Sequence, residues 1–204
     1  MTSIRNRRKT QMIQAAVDLV KEGGLQNLTT KNIAACVGVA ESSIYNIFES
    51  KQILIQETLL WLRNTTSNQA VRLWEQNINT WQNITEAITA TANLLVNNPY
   101  RFAEEALAYE QLLIGDANTA ELLERTFRDS LEEFEGLLTQ LTVRLNVNLE
   151  AFPFAMYELV MLVVGHIMFS LLFSSNPESR AEQDARFLVI LDRWTHHLQE
   201  VSNG

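Results

Sequence analysis

The residues of this 204-residue chain best equipped for surface chemistry fall in one short stretch: Glu41, Ser42, Ser43, Tyr45, Asn46 and Lys51. Ile44, Ile47 and Phe48 stand among them at helical spacing, so a short helix here buries one side and turns hydroxyls, an amide and a carboxylate outward. That is the equipment for reading base edges in a DNA groove. A glutamate accepts from the amino group of cytosine and an asparagine pairs with adenine; the bland alternative is that Glu41 and Asn46 are simply solvated. Chemistry of other kinds has little support. The histidines are His166, inside an apolar run, and the adjacent His196 and His197, which diverge by about 100° on a helix and make a poor metal pair. No nucleophile elbow, phosphate loop or Cys/His cluster occurs, so no catalytic residue, metal ligand or cofactor is assigned.

The elements that must position the polar set follow from the flanking residues. Thr29 or Thr30 carries a hydroxyl suited to cap a helix, with Thr29 preferred, and Ile33, Ala34 and Val37 then form its buried face. Gly38 stops that helix by tolerating a left-handed backbone, and Val39 plugs the turn. A second helix begins near Ala40. Ser50 caps the next, placing Lys51 beside free backbone N–H groups that favour a phosphate. Cys36 is a single cysteine, which excludes an internal disulfide, and its neighbours suggest a small core residue.

Gly23, Gly24, Thr29, Ile33, Ala34, Gly38, Val39, Tyr45, Phe48, Lys51 and Leu54 together resemble the DNA-binding domain of the TetR family of transcriptional regulators. Ala40, Glu41, Ser42 and Ile47 depart from that pattern. The resemblance implies an all-α protein with a three-helix helix-turn-helix domain over residues 1–54 and a larger helical effector-binding and dimerisation domain over 55–204. It further implies that Thr29, Thr30 and Lys31 lie on the DNA side, with a threonine positioning the supporting helix. On the same resemblance Tyr45 and Lys51 are expected to contact phosphates, and Glu41, Ser42, Ser43 and Asn46 to face base edges. The partner is then a near-palindromic double-stranded operator, and the activity repression relieved by a small molecule.

Charge agrees with this polarity. Residues 1–63 hold eight Lys or Arg against five acids, net +3, which leaves −11 on the other 141 residues of a chain whose total is −8. All four lysines lie in the first part. An uneven field of this kind directs the favourable end at phosphates. Arg5, Arg7 and Arg8 belong either to a solvated, frayed terminus or to an arm that contacts DNA.

Hydrophobic residues make up 47% of the sequence and prolines number only three, so a large helical core is expected. Helices are expected from Lys51 to about Trp74, across Ile84–Leu95, over about 100–114 until Gly115 and Asp116, and through a stripe from Phe127 to Leu145. The run 151–173 has the length of a membrane span, but Glu158, His166, Pro153 and Gly165 interrupt it and no basic cluster flanks it. Burial between the chain's own core and a partner is favoured over a membrane. In the last helix Leu188, Leu191, Thr195 and Leu198 form one stripe and Phe187, Ile190, Trp194 and Val201 another, leaving a face for a homodimer built from about 151–173 and 183–201. Trp81, Phe102, Tyr109, Phe127, Met161 and His166 are the candidates to line an effector pocket, each also readable as ordinary core. No signal peptide is visible, and a cytoplasmic location is expected. A membrane-associated helical protein and an enzyme with an unrecognised site are the competing readings.

Overall fold

The computed structural model describes residues 2–115, 117–148, 154–173 and 175–202. Among the described residues there are nine α-helices, one short 3-10 turn and no strand. The helices form two compact units, one from residues 1–67 and 99–128, the other from 68–98 and 129–204.

In the first unit, α1 (Thr2–Gly23) supplies Met12, Ala16, Val17 and Val20, all completely shielded from water. The recurrence of these residues at three and four positions gives one buried face. Gly24 follows with φ 74° and ψ −172°, an extended positive-φ conformation open to glycine that ends the helix. α2 (Thr30–Val37) and α3 (Ser42–Tyr45) add Ile33, Ala34 and Ile44 to the core that α1 begins, and α4 (Lys51–Asn77) adds Leu54, Leu59 and Leu62. α6 (Arg101–Ile114) joins the same core through Ala103 and Leu107. Arg5, Arg7 and Arg8 stand exposed on an intact stretch of α1, so they are helical and not an extended arm.

The second unit is organised around Trp74. Its indole N–H donates to the Thr91 hydroxyl at 2.8 Å, and its ring meets Trp81 and Phe134 edge-on at 4.9 and 5.2 Å. α5 (Ile84–Val96) starts with two capping bonds. Asn83 accepts from the Glu86 N–H, and Glu86 accepts from that of Gln82. α7 (Ala117–Arg144) contributes Leu138 and Leu141. α8 (Ala155–Leu172) buries Leu159, Val163, His166 and Ser170, and α9 (Pro177–Ser202) buries Phe187, Leu191, Thr195 and Leu198. By length and composition α8 is also apolar enough to cross a membrane.

Three expectations need correcting. Cys36 is exposed, because at about 100° per residue it stands about 160° around the helix from Ala34 and about 100° from Val37, beyond the edge of the face they bury. Leu188 is exposed and Phe187 takes its place in the buried stripe of α9, at the four-residue step from Leu191. α9 also begins at Pro177 instead of about 183, since its first two turns are polar and show no apolar period. The expected contributions of Asp116 to a helix stop and of residues 151–153 to the apolar run lie outside the described residues, as does the side chain of Val201.

Candidate nucleic-acid interface

The helix-turn-helix is assembled by local bonds that its sequence dictates. The Thr29 hydroxyl accepts from the Asn32 N–H at 3.1 Å, capping α2, while the Asn32 side chain donates to the Asn27 carbonyl and ties the cap to the preceding turn. Gly38 adopts φ 71° and ψ 39° and closes α2, its N–H directed to the carbonyls of Ala34 and Ala35. A side chain at that φ is strained, so the glycine sets the turn angle. α3 is a single turn; beyond it the Ile47 and Phe48 N–H groups return to the Ile44 carbonyl. Ser50 then accepts from the Ile53 N–H and starts α4.

Ile44 and Phe48 anchor this stretch at 0% and 1% exposure, with Ile47 half-buried. Ser42, Asn46 and Lys51 are exposed, as are Lys31 and Glu41, and Tyr45 is 51% exposed. Thr29, Thr30 and Ser43 are half-buried. Glu41 does not stand alone: its carboxylate accepts a hydrogen bond from the Thr30 hydroxyl. Lys9 pairs with Glu57 at 2.6 Å and lies over the Phe48 ring, joining α1 to α4.

The candidate effector residues are dispersed. Phe102 and Tyr109 are exposed on α6, and Phe127 lies under the Arg63 guanidinium at 5.9 Å, all in the first unit. In the second unit Trp81 borders a cleft of about 800 Å³. Met161 and His166 border another, of about 350 Å³, between α8 and α9. His166 stacks on Phe187 at 4.0 Å and sets its Nε2 3.6 Å from an Asp184 carboxylate oxygen. The larger cleft also takes Glu86, Thr89 and Asn93 of α5 and Asp192, His196 and Gln199 of α9, none of which the sequence suggested as pocket lining. Their spacings of three, four and seven mark one polar face on each helix, a signal legible by the same periodicity that found the core. Among the described residues no cluster of three His, Cys, Asp or Glu is placed to hold a metal ion.

An exposed polar helix carried on a capped, glycine-turned pair defines a helix-turn-helix DNA-binding protein. Residues 12–58 match the model described as bacterial regulatory proteins, tetR family. The nucleoid occlusion factor SlmA of Marinomonas sp. (strain MWYL1) is 26% identical over 141 residues, 69% of this chain and 67% of that protein. The HTH-type transcriptional repressor KstR2 of Rhodococcus jostii (strain RHA1) is 34% identical over 58 residues, only 28% of either chain. A TetR-family transcriptional regulator from Agrobacterium tumefaciens shares the fold with a TM-score of 0.69 at 15% identity, covering 94% of this chain and 99% of that one. The multidrug binding protein EbrR, solved with imidazole, shares it at 0.66 and 17%, covering 92% and 94%. Residues 12–58 thus form a DNA-binding domain of the tetR type, and the chain as a whole shares the fold of TetR-family regulators.

Proposed function

We propose that the protein is a homodimeric repressor that leaves a near-palindromic operator when a small molecule binds outside the reading head. The reading head is residues 1–54, and residues 55–204 bind the effector and the second copy. The supporting observation is the division of labour in the helix-turn-helix: Ile44 and Phe48 fill the core while Ser42, Tyr45, Asn46 and Lys51 project into solvent. One turn of helix touches few bases, so two heads related by a twofold axis are needed, about 34–36 Å apart on one face of the duplex. The apolar side chains that α8 and α9 leave in water, among them Met161, Phe169 and Ile190, supply the face for the second copy. The complex of EbrR with imidazole supports a small-molecule effector, and the 800 Å³ cleft bordered by Trp81 is the proposed site. A regulator of this kind works in the cytoplasm, where the chromosome is.

Selection of random duplex DNA by the purified protein tests this reading. Enrichment of a motif with two inverted half-sites is expected, and Ser43→Ala and Asn46→Ala should each change the bases preferred within a half-site. A pool that emerges without a motif would overturn it. A compound screen scored by release of the selected duplex then identifies the effector.

A further inference from the structure

Thr30 is the first residue of α2, and its hydroxyl donates to the Glu41 carboxylate. Glu41 occupies the cap position of α3, yet its side chain makes no capping bond to that helix and instead crosses the turn to α2. The first N–H groups of an α-helix lack intrahelical acceptors and form the positive end of its dipole, so that end favours an anion. In the eight-residue α2 the side chain drawn to this end carries a full negative charge. Lys31, Ser42, Tyr45 and Asn46 are exposed on the same helix-turn-helix, so a DNA strand laid on it brings phosphates to the anion that already holds Thr30.

A phosphate and a carboxylate compete for one hydroxyl and repel each other at close range, more strongly near a protein surface than in bulk water. We propose that Glu41 is an internal stand-in for a DNA phosphate: in the free protein it occupies the Thr30 hydroxyl and the positive end of α2, and DNA must displace it. Glu41 therefore restrains affinity for every duplex alike and leaves the choice of sequence to Ser43 and Asn46. This rests on the DNA-reading function above.

The test measures binding by fluorescence anisotropy for a selected operator and an unrelated duplex across a salt series, with folding of each variant checked by circular dichroism. Glu41→Gln keeps the shape and an acceptor oxygen while removing the charge. Its affinity should rise about tenfold on both duplexes at low salt, with a salt slope steeper by about one and a gain that shrinks as salt screens the charge. Thr30→Val should weaken binding to both duplexes, and in that background Glu41→Gln should gain less. Weaker binding of Glu41→Gln to the operator alone would make Glu41 a base reader and overturn the proposal. Equal weakening on both duplexes would make it a structural tie and overturn it too, as would a gain undiminished by Thr30→Val. A wild-type protein that binds neither duplex at any salt would instead refute the DNA-reading function, and this proposal with it.

Discussion

In the helix-turn-helix Ile44 and Phe48 are hidden and the projecting side chains are polar, whereas α8 and α9 hold Met161 55% and Ile190 51% exposed beside a buried stripe that includes His166 and Ser170. The contrast separates two kinds of partner. A surface that hides its hydrocarbon and displays donors and acceptors is suited to a hydrated, charged polymer. One that leaves methionine, phenylalanine and isoleucine in water is suited to a second apolar surface.

The sharpest way to break the comparison is to remove an anchor on the polar side. Phe48→Ala deletes a fully buried ring and should cost about 3–5 kcal/mol, lowering the melting temperature and abolishing operator binding while sedimentation still finds dimers. If the dimer also dissociates, the two surfaces are not independent. Next in size, Met161→Asp combined with Ile190→Asp sets carboxylates in the proposed dimer face. Sedimentation velocity should then report single subunits, and operator affinity should fall by about a hundredfold, because each head must bind alone.

A smaller effect sharpens the polar side. Lys51→Ala should weaken binding to all sequences several-fold and flatten the salt slope by about one, and an unchanged slope would remove its phosphate contact. Smallest is a pH effect in the first unit. Burial pushes the Glu104 carboxyl up from its ordinary 4.5, against the opposing pull of Arg63 and the hydrogen bond from Thr66. The native state therefore holds this proton more tightly than the unfolded chain does, so its contribution to stability declines as pH rises through the interval above 4.5. Glu104→Gln should flatten that decline in thermal melts taken from mildly acid to neutral pH.

The local architecture was legible wherever one residue type dictates backbone geometry. Thr29 and Ser50 cap the helices they were expected to cap, Gly38 takes the left-handed turn, and α5 and α6 cover the expected Ile84–Leu95 and about 100–114, α6 ending at Gly115. Features set by pairing across the fold were not legible. An apolar period shows which residues share a face but not whether that face meets a core, so Tyr109 and Phe102, plausible as pocket lining, stand in water on α6. The bond from Thr30 to Glu41 joins residues eleven apart across a turn, where no spacing rule reaches. The polar cleft was missed for a different reason: its threonines and asparagines read as ordinary helix surface until α5 and α9 are seen to face each other across it.

The packing of Trp74 against Trp81 has a practical consequence. One indole is sealed from water and held at its nitrogen by Thr91, and the other, 4.9 Å away, forms part of the cleft wall. A compound entering the proposed site should therefore change this pair's share of the emission of the four tryptophans, without any added dye and before any nucleic acid is in the cuvette.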